Sequence, residues 1–239
     1  MAETLVGVLG GVGPMATVYF MQRVIELTEA DTDQEHLNMV VWQHAAIPDR
    51  TAFLLGYSDE DPLPVMVSDA RRLEADGVDF IAMPCNTAHY FYDELAAAVG
   101  IPFLDIVDET VAAAQQGVPG LRRLGVLATD GTVRTGTYAG VCARRGVEAV
   151  VPDDVVQREV SDIIYAGVKA GRPVERERFE AVVDHLRRRG CQAIVLGCTE
   201  LSVLGRELGA GPDVVDSVDV LARRTIELAG RPVRQEASA

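Results

Sequence analysis

Two cysteines in this chain stand where a thiol could act as an acid or a base. Cys85 lies in Met83-Pro84-Cys85-Asn86-Thr87-Ala88-His89, and Cys198 in Leu196-Gly197-Cys198-Thr199-Glu200-Leu201. Each closes a short apolar run of strand type and precedes polar donors at the start of a helical pattern. Ground just beyond the carboxyl ends of strands in an open α/β sheet is where ligands bind. Asn86, Thr87 and Thr199, with the free N–H groups of a helix start, suit an anion there. The same helix starts are expected to draw a thiol pKa from about 8.5 toward neutrality. Two such thiols on opposite sides of one cleft would let a thiolate take hydrogen from one face of a stereocentre while a thiol delivers it to the other. That chemistry calls for no cofactor, neither metal nor pyridoxal. A single cysteine of this kind reads equally well as a small residue at a tight turn; two at equivalent positions favour the chemical reading.

The remaining cysteines, Cys142 and Cys191, form no C-x-x-C pair and no zinc-like cluster with the four histidines, so no metal site is expected. Both read as small buried hydrophobes. His89 falls one helical turn past Cys85 and fits a packed, supporting histidine as well as a reacting one.

The elements that must position these residues follow from the pattern. Short apolar runs at 5–9, 39–43, 79–83, 103–106, 123–128, 148–151, 193–196 and 214–216 read as strands. Amphipathic segments at 16–28, 65–75, 107–115, 133–144, 155–170, 176–188 and 218–228 read as helices. Such alternation specifies an α/β fold with parallel sheets. The two halves resemble each other: VGVLGGVG near the start answers LGVLATDG at 124–131, and FIAMPCNTAHYF at 80–91 answers AIVLGCTELSVL at 193–204. Each cysteine block is followed by a strand ending in aspartate, PFLDI or VVDS, and then a helix. The expected architecture is two pseudo-symmetric, Rossmann-like α/β domains with the active site in the cleft between them. The last helix, 218–228, is expected to return to the first unit, giving one domain of residues 1–103 plus 218–239 and another of 104–217. Residues 231–239 read as a frayed tail.

Composition narrows the function. The chain has 239 residues and a formal net charge of -14. That charge excludes a nucleic-acid partner, which would require a basic surface, and disfavours anionic membranes. No apolar run approaches the roughly 20 residues of a bilayer span, and the start lacks the form of a signal peptide; a cytoplasmic protein is expected. A small anionic substrate stays compatible, because a few cations inside a cleft outweigh the average field. Lys169 is the one lysine among 22 basic residues, which marks it for a specific role or for chance survival on a helix face.

Taken together, GGVGPMAT (10–17), IPDRT (47–51), MPCNTAH (83–89) and LGCTEL (196–201) resemble, in order and spacing, the motifs of the aspartate/glutamate racemase superfamily, and of its aspartate racemase branch in particular. The chain departs from glutamate racemases, which carry histidine where Glu200 stands and open on Asp-Ser-Gly where this chain has Gly10-Gly11. The resemblance implies a cofactor-independent amino-acid racemase, homodimeric as the family commonly is, acting on aspartate or a related acidic amino acid. It matches Cys85 and Cys198 to the proton-transferring pair, and Asn86, Thr87 and Thr199 to holders of the α-carboxylate. It matches Arg50 and Lys169 to the cations that receive the side-chain carboxylate. Thr51, His89 and Glu200 are read as supporting residues around that site. Physically, Arg50 can bind a carboxylate bidentately, and it opens a long loop, 49–64, that could close over the site.

Other readings stay open at this stage. Gly11-Val12-Gly13-Pro14-Met15-Ala16 fits a dinucleotide-binding loop, but Gln43-His44 stands where the acidic residue belongs. The loop, with Gly11 and Met15, reads better as lining the amino-acid pocket with backbone amides. Maleate isomerases and hydantoin racemases also keep two cysteines, whereas arylmalonate decarboxylases keep one. A non-catalytic binding protein would have no need of a thiol pair.

Overall fold

The computed structural model describes residues 3–235. Among them, β1 (Leu5–Gly10), β2 (Asn38–Gln43) and β3 (Phe80–Ala82) form one sheet in the order β2-β1-β3. β4 (Arg123–Ala128), β5 (Glu148–Val150), β6 (Ala193–Gly197) and β7 (Val214–Asp216) form a second, ordered β5-β4-β6-β7. All pairings are parallel, as the alternating pattern requires. The helices of the first half are α1 (Pro14–Leu27), α2 (Arg50–Leu54), α3 (Leu63–Ala75), α4 (Tyr92–Ala97) and α5 (Ile106–Gly117). Those of the second are α6 (Asp130–Thr135), α7 (Thr137–Arg144), α8 (Asp154–Asp162), α9 (Arg176–Arg188), α10 (Thr199–Leu208) and α11 (Ser217–Leu228). No helix among the described residues is long and apolar enough to cross a membrane.

The central strands are covered on both faces, which is why they read as unbroken apolar runs. Their side chains alternate between two cores. Leu124 and Val126 of β4 and Ala193 and Val195 of β6 face a core shared by both sheets, together with Val6 and Val8 of β1 and residues of α1, α5, α7 and α11. Leu127, Ile194 and Leu196 face outward, onto α8, α9 and α10. On the far side of the first sheet, Met66, Ala70 and Leu73 of α3 and Leu95 of α4 close the third core. The final helix packs on α1 and α5. Arg23 of α1, only 3% exposed, fixes that packing through a two-pronged ion pair with Asp219 of α11, Nη2–Oδ2 2.7 Å.

Several elements differ from the sequence expectation for local reasons. The strand expected at 103–106 is a single parallel bridge, Phe103 beside Ile81. It is held by Ile81 N–H to Pro102 O and Leu104 N–H to Ile81 O, both 2.9 Å. It occupies beside β3 the place that β7 occupies beside β6, and it is cut short because Asp105 caps α5, accepting from Val107 N at 2.9 Å. Asp216 caps α11 in the same way, accepting from Val218 N at 2.8 Å. The expected helix at 133–144 is two helices, because Gly136 adopts φ +67° and ends α6 there. The helix expected at 155–170 gives way after Asp162 to a π-helical turn, Ile163–Val168. The tail is not frayed as far as residue 235: Thr28 and Val233 form an antiparallel bridge, and Arg234 N–H bonds Leu27 O at 2.7 Å. Residues 236–239 of that tail lie outside the described residues.

Candidate active site

Cys85 and Cys198 line one cavity, beyond the carboxyl ends of β3 and β6. Its volume is about 20 Å³, space for little more than a water-sized group, so the cleft is narrow around the thiols. Both cysteines are buried and neither is in a disulfide.

The two thiols are positioned differently. Cys85 sits in a tight turn, its N–H on Met83 O at 2.8 Å, ahead of a 3₁₀ turn over Thr87–Phe91 instead of an α-helix. His89 locks that turn. Its Nδ1 bonds the carbonyl of Cys85 at 2.7 Å, and its Nε2 accepts the N–H of Ile106 at 3.2 Å, with the Leu104 carbonyl also at 3.2 Å. Because a carbonyl can only accept, Nδ1 donates in the contact with Cys85. His89 therefore holds the Cys85 loop against the start of α5 and does not line the thiol cavity. His89→Ala is expected to loosen that loop, with faster hydrogen exchange at the Cys85 and Ile106 amides, as mass spectrometry of the exchanged peptides would reveal.

Cys198 is the N-cap residue of α10, with its carbonyl accepting from Leu201 N at 3.0 Å and Ser202 N at 3.1 Å. Its thiol donates to Oε2 of Glu200 at 3.0 Å. The expectation that a helix start lowers this pKa is overturned. Burial pushes the thiol up, and the Glu200 carboxylate raises it further by charge and hydrogen bond, outweighing Lys169. Cys198 is thus held as a thiol. Glu200→Gln removes the opposing anion, so the Cys198 pKa is expected to fall. Its iodoacetamide labelling at fixed pH, followed by mass spectrometry, should speed up by about three- to fourfold per unit of pKa lost, the gain in thiolate being partly offset by its lower nucleophilicity; unchanged labelling would contradict the role assigned to Glu200.

The polar walls of the cavity come from both halves. Asn86 is 2% exposed and its amide is oriented across the cleft: Nδ2 donates to Ser217 Oγ at 2.9 Å and Oδ1 accepts from Tyr138 Oη at 2.6 Å. Burial keeps that phenol protonated, as its raised pKa requires. Thr87 Oγ1 lies 2.9 Å from Thr129 Oγ1 and 3.0 Å from Thr132 Oγ1, a buried hydroxyl cluster joining the 3₁₀ turn to the N-terminus of α6. Thr129 itself lines the cavity, as does buried Thr199. Sequence reasoning singled out Asn86, Thr87 and Thr199 but missed Thr129, Thr132, Tyr138 and Ser217. The signal for Thr129 was available, since Thr129-Asp130-Gly131-Thr132 follows β4 as Gly11 follows β1.

Two cations reach the same space. Arg50 begins α2, a short helix inside the segment read as a loop, capped by Asp49 accepting from Ala52 N at 2.7 Å. Its Nη1 donates to the carbonyls of Pro48 at 3.0 Å and Ile47 at 3.3 Å, while its Nε is buried without a hydrogen-bond partner. An orphaned guanidinium N–H is costly unless an acceptor arrives. Lys169 follows the π-helical turn, 3.9 Å from Glu200 and 4.8 Å above the Tyr165 ring. Burial opposes its charge, but the facing negative charge, Glu200 foremost, outweighs that and its pKa is raised. Tyr165 also donates to Thr51 Oγ1 at 3.1 Å, tying α2 to the second half. Gly131 permits this approach: a Cβ there would meet Thr51 Cα at 3.2 Å and Thr87 Cγ2 at 3.3 Å.

Gly11 and Met15 line an adjoining cavity instead, and Val12 lines the thiol cavity. Gly11 has φ +87°, its amide bonds Thr17 Oγ1 at 3.0 Å, and a Cβ would strike the His44 backbone at 2.4 Å. Its N–H is therefore spent within the loop and does not face a ligand. Cys142 is fully buried as expected, with burial raising its pKa to about 11, whereas Cys191 is half-buried. Among the described residues no group of three or more His, Cys, Asp or Glu side chains is placed to hold a metal ion.

Two sheets of this order with paired cysteines at their carboxyl ends fit the class suggested by the sequence motifs. The chain belongs to the Asp/Glu/hydantoin racemase family, whose model matches residues 9–225. It is 30% identical over 232 residues to the broad specificity amino-acid racemase RacX of Bacillus subtilis (strain 168), covering 93% of this chain and 96% of that protein. Its structure resembles that of Picrophilus torridus aspartate racemase, with a TM-score of 0.84 and 32% identity over 97% of this chain and 96% of that one. An aspartate racemase homologue from Pyrococcus horikoshii OT3 is similar too, at TM-score 0.78 and 26% identity, covering 96% and 100% of the two chains.

Proposed function

We propose that this chain is a cofactor-independent amino-acid racemase that inverts the α-carbon of aspartate or a related acidic amino acid by proton transfer between Cys85 and Cys198. The observation that carries the reading is the single narrow cavity lined by both thiols, with Asn86, Thr87 and Thr199 on its walls. One cysteine, as thiolate, takes the α-hydrogen as a proton; the C–H electron pair is held as a carbanion delocalised into the α-carboxylate. The other, as thiol, gives its proton to the opposite face, so nothing is oxidised or reduced. Asn86, Thr87, Thr129 and Thr199 supply donors for the α-carboxylate. Glu200 keeps Cys198 protonated for its turn as acid; after the transfer thiol and thiolate have exchanged places, which readies the pair for the reverse inversion. Closure of the cleft excludes water that would quench the carbanion.

Arg50 supports the acidic substrate, because its orphaned Nε can be satisfied by a side-chain carboxylate, with Lys169 as a second cation. We assign the lobes expected at 1–103 plus 218–239 and at 104–217, among the described residues, as 3–103 plus 218–235 and 104–217, a division supported by the two sheets and by the return of α11 to α1. The test is proton NMR in D₂O with L- and D-amino acids, without added cofactor, combined with chiral chromatography. Loss of the α-proton signal and appearance of the opposite enantiomer of aspartate or glutamate is the expected result. No exchange with any amino acid would overturn the reading.

A further inference from the structure

The thiol cavity opens past Arg50, Lys169 and Glu200 into a second cavity of about 680 Å³. Asp49, Arg50, Lys169, Thr199 and Glu200 border both spaces and form a neck between them. Beyond the neck the wall changes character: Pro14, Met15, Ala45, Ile47, Val168 and Val203 make it apolar. Met15 leaves 70% of its surface exposed there, apolar area that a side chain lying on it would cover. The volume falls within the range of small-molecule pockets, roughly 300–1,000 Å³, and far exceeds what the side chain of aspartate needs.

The electrostatics of the neck point the same way. Arg50 and Lys169 are set against Asp49 and Glu200, and Lys169 already faces Glu200 at 3.9 Å. With as many anions as cations on its border, the neck does not reject an uncharged chain passing through.

We infer that this vestibule is a side-chain subsite for amino acids with long uncharged side chains, of the aliphatic or thioether class, which the enzyme racemises in addition to acidic ones. The inference rests on the racemase reading above. The α-carbon lies between the thiols, the first side-chain carbons thread the neck, and the distal carbons rest on Met15, Ile47, Val168 and Val203. No new chemical step is involved, since the same α-hydrogen is exchanged.

The test compares racemisation of norleucine and of aspartate by the wild type, Val203→Trp and Ala45→Trp. Val203 is half-buried, and exposed Ala45 provides a variant with little risk to folding. The expected result is that the wild type racemises norleucine, and that each tryptophan lowers kcat/KM for norleucine by about tenfold or more while leaving aspartate within about twofold. A wild type that racemises aspartate but not norleucine would overturn the inference and leave the racemase reading standing. Equal losses for both substrates in the variants would overturn it as well, because the vestibule would then serve access alone. Inactivity toward every amino acid would overturn the racemase reading itself.

Discussion

Cys85→Ala and Cys198→Ala are each expected to lower racemisation by about 10²–10⁴-fold, the usual worth of one positioned acid or base. Neither change should unfold the protein, since each removes a single buried sulfur atom. The two variants are not expected to behave alike. Burial and the Glu200 carboxylate hold Cys198 as a thiol, so the chain left with Cys198 alone keeps a ready acid but a reluctant base. Exchange of the α-hydrogen with solvent should therefore be slower in Cys85→Ala than in Cys198→Ala, and each variant should exchange one enantiomer only. Proton NMR in D₂O, starting from each pure enantiomer, measures both effects. Substantial racemisation in either variant would contradict the assignment of two thiols.

Arg50→Ala is expected to raise KM for aspartate by about a hundredfold, consistent with the roughly 2–5 kcal/mol lost when one partner of a hydrogen-bonded charge pair is removed. KM for a neutral amino acid should change far less. The carbonyls of Ile47 and Pro48 hold Nη1 in place, which pre-orders the guanidinium and leaves its buried Nε for the ligand. Lysine should not rescue the variant, because an ammonium group reproduces neither the planar fork nor its fixed orientation. The discriminating quantity is the ratio of KM values for acidic and neutral substrates. Equal increases in both would mean that Arg50 maintains the shape of the cleft and does not read the side chain.

Much of this was legible in the sequence, for identifiable reasons. β1, β4 and β6 are buried on both faces, so their composition alone marks them, and the repeat of the cysteine blocks carries the pairing of the two halves. The Arg176–Arg188 helix is strongly amphipathic and ends where the pattern ends. What escaped notice depended on single residues or on distance. Phe103 pairs with Ile81 over one residue only, because the Asp105 cap starts α5 before a strand can extend. Gly136 breaks a helix whose apolar period runs through it. Tyr138 and Ser217 orient Asn86 from 52 and 131 residues away, contacts that no local pattern encodes. The pKa of Cys198 departs from the sequence expectation because a helix start is a local feature, whereas burial and the aim of the Glu200 carboxylate are set by the packing around the cleft.

The measurement that bears most directly on the two-thiol account is the isotopic content of both enantiomers at early conversion in D₂O. If separate acids and bases serve the two faces, the proton delivered to the product comes from a thiol already equilibrated with solvent. The account predicts product that is almost wholly deuterated at Cα, while unreacted substrate still carries its original hydrogen. Product that retains the substrate hydrogen, or substrate that exchanges as fast as product forms, would mean that one group serves both faces and would contradict it.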